Sequence, residues 1–104
     1  MTWDEGSVME QVLEQDERVR ELFEIIARLE NSDECARFFR DLCTLNELKS
    51  MAERWRVARM VSEDIPYRLI SQHTGASTAT ITRIAHWVNH GEGGYRQMLE
   101  RLEV

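Results

Sequence analysis

The chain has 104 residues, 42% of them hydrophobic and 31% charged, with a formal net charge of −6. That length suits one small domain with a modest core. It holds no run of about 18 apolar residues that could span a bilayer and no charged-then-apolar leader, so a cytoplasmic location and no membrane partner are expected.

Residues 1–15 read as an N-terminal arm that is partly helical, because Thr2–Gly6 carries no pattern while Ser7 and Glu10 have capping-box spacing. Residues 16–104 read as a single all-α domain. From Asp16, the residues Val19, Leu22, Phe23, Ile26 and Leu29 recur at helical spacing and give an amphipathic helix whose apolar stripe needs a partner. A second capping box, Asn31 with Glu34, opens a shorter helix carrying Cys35, Phe38, Phe39 and Leu42 on one face. Cys35 and Cys43 match no zinc spacing and sit among apolar residues, so they are expected to be reduced core thiols.

Thr44 with Glu47 is a third capping box and starts a long helix running to about Ser62. Leu45, Leu48, Met51, Ala52, Trp55 and Ala58 share a face, and Val57, Met60 and Val61 extend the apolar character to the other side, which makes this helix central. Lys49, Arg54, Arg56 and Arg59 lie along it as a solvated basic face.

Pro66 suits a helix start, so Glu63–Ile65 is a break. The stretch from Pro66 to His90 then reads as a helix-turn-helix, with a first helix Tyr67–Thr74, a left-handed turn at Gly75, a cap at Ser77 and a second helix from about Thr78 to Asn89. At roughly 100° per residue, Ile81, Ile84, Ala85 and Val88 fall on one side as core, while Ala79, Thr82, Arg83, His86 and His90 fall on the other. Small, hydroxylated and basic side chains on one exposed face suit a helix lying in the DNA major groove. The competing structural reading is an ordinary two-helix hairpin. His86 and His90 are four apart, but no third ligand is near, so no metal is expected there. Gly91, Gly93 and Gly94 make a turn, and Tyr95, Met98, Leu99 and Leu102 form a last amphipathic helix.

Global acidity argues against DNA, since phosphate neutralisation supplies much of the affinity. Its distribution argues the other way. Residues 1–41 contain twelve acids and five bases, whereas residues 66–91 contain two arginines, three histidines and no acid.

The segments LNELKSMAERWRVARMV, GASTATITRIAHWVN and YRQMLERL resemble the Trp-repressor superfamily, and within it the YerC/YecD branch. The resemblance covers Asp16–Val104, and its most specific element is ATITR at 79–83. It implies six helices per chain and an intertwined homodimer in which the N-terminal helices of both chains build one core. It also implies double-stranded DNA as partner. Carried over position by position, its DNA contacts fall on Tyr67, Arg68 and Ser71 of the first helix and on Thr78, Ala79, Thr80, Thr82, Arg83, His86 and Asn89 of the second. Beside that carry-over, Arg54, Arg56 and Arg68 are expected to hold the DNA backbone. Ser71 and Asn89 stand where the tryptophan-binding member has lysines, and Thr78 where it has isoleucine, so a different operator is implied.

The ligand pocket of that member is matched only in part. Thr44, Arg54, Thr80 and Arg83 keep its residue types, but Ile84 replaces a glycine and Trp87 a serine. These two large side chains are expected to fill the pocket from within, leaving a vestigial site and no tryptophan corepressor; the competing reading is that Trp87 packs on the central helix and has no regulatory role.

The expected function is therefore a homodimeric, sequence-specific transcriptional regulator, most simply a repressor. The alternative is a helical protein–protein interaction module that uses the helix-turn-helix face. An enzyme is not expected, because His73, His86 and His90 have no acid partner close in sequence and no catalytic residues or cofactor can be assigned.

Overall fold

A computed structural model describes residues 8–103, and within them the chain is helical with no strand. There are seven helices: α1 (Val8–Gln15), α2 (Glu17–Ile26), α3 (Ser32–Leu42), α4 (Leu45–Ser62), α5 (Tyr67–Thr74), α6 (Thr78–His90) and α7 (Gly94–Arg101). None is both long and apolar enough to cross a membrane. The chain divides into two compact units, residues 1–43 and 44–104.

Six of the seven lie beyond residue 16, as expected, and the seventh, α1, is the helical part of the N-terminal arm, divided from α2 by Asp16. Its N–H donates to the Val12 carbonyl at 2.8 Å and so closes α1. Its own backbone is extended, and its carboxylate accepts from the Arg18 N–H at 3.0 Å and from the Arg18 guanidinium at 3.2 Å, which caps α2. Those bonds hold the Asp16 carboxyl below the usual carboxylate range. The proposed Ser7 cap lies outside the described residues. Leu29, expected to continue the stripe, falls beyond the end of α2.

At α3, Asn31 accepts from the Glu34 N–H at 2.9 Å as expected of a cap. The reciprocal arm differs, since the Glu34 carboxylate receives the N–H of Glu30 rather than that of Asn31. Phe38 and Phe39 meet edge to face. Cys35 and Cys43 are free thiols, both half-buried rather than core. Among the described residues, α1 packs on α2, whereas α3 packs on neither of them.

The second unit holds the core. Val57 and Ala58 of α4, Ile70 of α5, Ala76 in the turn, and Ile81, Ile84 and Val88 of α6 are buried together, with Tyr95 and Leu99 of α7 packed against them. α4 packs on α5, α6 and α7, as a helix apolar on more than one side requires. Its start is fixed by a complete capping box, in which the Thr44 hydroxyl accepts from the Glu47 N–H at 3.1 Å and the Glu47 carboxylate accepts from the Thr44 N–H at 2.8 Å. Only its second half is buried. Leu45 is 51% exposed and Met51 36% exposed, so the first half presents its apolar face outward.

Candidate nucleic-acid interface

The turn between α5 and α6 is set by local chemistry. Gly75 has φ 79, the left-handed conformation that an L side chain resists. The Thr74 hydroxyl donates to the Ile70 carbonyl at 2.7 Å and accepts from the Ala76 N–H at 3.1 Å, bridging across the glycine. Ala76 then turns into the core, and the Ser77 hydroxyl accepts from the Thr80 N–H at 3.1 Å to cap α6. Thr74 was not singled out from the sequence, although a hydroxyl residue just before a turn glycine is a readable signal.

Burial of Ile81, Ile84, Ala85 and Val88 fixes the rotation of α6 and leaves its opposite face in solvent. On that face Thr78, Ala79, Thr82, Arg83, His86 and Asn89 are exposed, while Thr80 is half-buried. On α5, Tyr67 and Arg68 are exposed and Ser71 is half-buried. Arg54 and Arg56 are exposed on α4, with no hydrogen bond or ion pair to a residue of α5 or α6 among the described residues. The ion pairs found there are Arg18–Asp16, Arg20–Glu17 and Arg59–Glu63. Among the described residues, the guanidinium groups of Arg54, Arg56, Arg68 and Arg83 therefore have no ion-pair partner.

One edge of the surface formed by α5 and α6 is less free of acid than the sequence of residues 66–91 suggests. A cleft of about 630 Å³ brings Asp64, Glu100 and Glu103, together with Arg96, alongside Tyr67 and Asn89. Carboxylates from α7, from Glu103 just beyond it and from the turn before α5 make that edge a poorer phosphate contact than the central face. The Asn89 amide also donates to the Ala85 carbonyl at 3.0 Å, which occupies part of its donor capacity.

The two large side chains expected to fill the pocket differ in burial. Ile84 is 4% exposed and belongs to the core, but Trp87 is 53% exposed. The two residues are offset by about 60° on the helix, enough at the edge of a core for one to enter and the other to stay out. Val88 takes the inward position, and Tyr95 and Leu99 pack on the core beside it. Trp87 instead lies edge to face with His86 and lines a shallow apolar groove of about 480 Å³ with Trp55, Tyr95 and Met98. Trp55 and Tyr95 are stacked there, with ring centroids 6.4 Å apart. Of the other residues assigned to the pocket, Thr44 is engaged as the α4 cap and Thr80 accepts from the Ser77 hydroxyl at 3.0 Å. Arg54 and Arg83 are exposed.

The profile of the Trp repressor protein family matches residues 17–103. An uncharacterized Bacillus subtilis (strain 168) protein, YerC, is 47% identical over 83 residues, which is 80% of each chain. A solved TrpR-like protein from Eubacterium eligens superimposes with a TM-score of 0.83 at 40% identity, covering 91% of this chain and 96% of that one. A candidate Trp repressor from Staphylococcus aureus superimposes with a TM-score of 0.85 at 38% identity, covering 95% and 97%.

Proposed function

The chain belongs to the Trp repressor family, and from that premise we propose that it is a sequence-specific DNA-binding transcriptional regulator, a repressor, acting as a homodimer. The observation that carries the reading is the exposed face of α6. It has hydroxyl, methyl, imidazole and guanidinium groups and no carboxylate, and the guanidinium groups of Arg83 and of Arg68 on α5 have no ion-pair partner among the described residues. Phosphate backbones pair with such cations and base edges with such small polar groups.

The dimer proposal rests on unpartnered apolar surface. Phe23 is 45% exposed, Ile25 42% and Leu42 49%, on helices too short to be stable alone in water. A second copy supplying the same faces would bury them and place a reader helix in each of two successive major grooves.

The regulator works without a tryptophan corepressor. In support, Ile84 fills core volume where the family's ligand-gated member has glycine, and Trp87 replaces the serine of that pocket. The half-exposed indole acts at the rim of the site rather than as a buried imitation of the ligand.

The test is selection of bound duplexes from fragmented genomic DNA, followed by titration of the recovered site with wild type and Arg68→Ala. Recovery of a site with two-fold-related halves, bound more weakly by Arg68→Ala together with random DNA, is the expected result. Recovery of no enriched duplex, with binding of a protein partner through the same face, would establish the interaction-module alternative instead.

A further inference from the structure

The hydroxyl groups along α6 are not equivalent in hydrogen-bond polarity. The Thr82 hydroxyl donates to the Thr78 carbonyl at 2.9 Å. Its single proton is therefore committed within the helix, and what it offers to solvent is an acceptor oxygen and a γ-methyl group. Thr80 has the opposite disposition, because its oxygen accepts from the Ser77 hydroxyl at 3.0 Å and its own proton is left to donate. One turn before Thr82, Ala79 is also exposed and presents only a methyl group. Residues three apart on a helix are neighbours, so Ala79 and Thr82 form a patch with two methyl groups, one acceptor and no donor.

The major-groove edges of the base pairs respond differently to such a patch. An A·T pair carries the thymine methyl group and the adenine N6 amine, which meet a methyl and an acceptor respectively. A G·C pair also offers a donor, the cytosine N4 amine, alongside acceptors at guanine N7 and O6, but it carries no methyl group, so the methyl contact is what separates the two pairs. We infer that Thr82, with Ala79 beside it, is a specificity-determining residue that selects an A·T pair in each half-site, its methyl group against thymine and its oxygen accepting from adenine. This inference rests on the regulator reading and adds the identity of the base pair to it. Thr80, half-buried and with a free proton, is left to donate to a phosphate or to a base acceptor.

The experiment uses the full chain and a random duplex library. Wild type, Thr82→Ser and Thr82→Val are each carried through selection, and the wild-type site is then resynthesised with uracil in place of thymine at one position at a time. Thr82 is exposed, so both variants retain the core. In the expected result, one position per half-site depends on Thr82 and is A·T. Uracil there weakens wild type about fourfold, the factor to which ~0.8 kcal/mol for one buried methyl group converts. The same uracil leaves Thr82→Ser, which keeps the hydroxyl but has no methyl, unchanged. Thr82→Val, which keeps a methyl and cannot donate, still selects A·T.

Two outcomes would overturn the inference while leaving the regulator reading intact. One is specific, salt-sensitive binding in which the Thr82-dependent position is G·C, and the other is tolerance of uracil at that position by wild type. Failure of wild type to enrich any duplex would overturn the regulator reading, and this inference with it.

Discussion

Replacing Gly75 by alanine isolates the torsional cost of the turn that aims the reader helix. A Cβ placed on Gly75 meets nothing within 4 Å, so the substitution introduces no clash. What it introduces is an L side chain at φ 79 and ψ −2, which costs about 1–2 kcal/mol relative to glycine. Alanine also narrows the unfolded ensemble, which returns about 0.4–1 kcal/mol, and the net expected loss is about 1 kcal/mol. Relaxation of the turn is resisted by the Thr74 hydroxyl, which ties Ile70 to Ala76 across the glycine. Asparagine tolerates the left-handed region better and should lose less than alanine. The assay is equilibrium unfolding in urea at one fixed protein concentration, since dimerisation would make the midpoint concentration-dependent. With a slope of about 1–3 kcal/mol per molar urea, the alanine midpoint should fall by roughly 0.3–1 M. An alanine variant as stable as wild type, or an asparagine variant less stable than alanine, would refute the torsional account.

Ile81→Ala should cost about 2–5 kcal/mol, because the side chain is fully buried between α6 and its neighbours, whereas Thr82→Ala on the exposed face should stay within about 0.5 kcal/mol by thermal or urea unfolding. Glu47 has its carboxyl held below the ordinary glutamate value of 4.5 by the N–H and hydroxyl of Thr44. A depressed acid contributes stability that is present above its unfolded value and lost as pH falls through its folded value, so the advantage of wild type over Glu47→Gln should shrink from about pH 4.5 downward and vanish in stronger acid. Wild-type affinity for its selected site should not change with millimolar L-tryptophan, and a tenfold rise, about 1.4 kcal/mol of coupling, would show an open ligand pocket. Trp87→Ser, which removes a half-exposed indole, should leave folding nearly intact and is the variant in which sensitivity to tryptophan would first appear.

The parts of the fold legible in the sequence are those set by residues close together in the chain. Thr44 with Glu47, Pro66, Gly75 and Ser77 each satisfy or redirect nearby backbone groups, and the boundaries of α4, α5 and α6 follow them to within a residue. The inward set of α6 was equally legible, because four apolar residues at helical spacing have one way to face a core.

What was not legible depends on groups far apart in sequence, or on competition between local options. Asp16 can either continue a helix or cap the next, and the preference for capping shows only in its bonds to Arg18 and in the Val12 carbonyl taking its N–H. Trp87 lies close to Ile84 on a helical wheel, but a wheel cannot show that α7 covers the core beside Val88 and leaves Trp87 half-exposed. The carboxylates of Glu100 in α7 and of Glu103 just beyond it line the cleft beside Tyr67 and Asn89, so a charge count over residues 66–91 could not include them.

The most direct test of the central claim is the salt dependence of affinity for the selected duplex, for wild type and for Arg68→Ala. If α5 and α6 face DNA, log K falls linearly with log salt, with a slope of about −0.9 for each phosphate neutralised. A dimer carrying Arg68→Ala should then lose about two from the magnitude of that slope, one per protomer, with little change in site preference. A wild-type slope near zero, or one that Arg68→Ala leaves unchanged along with the affinity, would contradict the assignment of this face to DNA.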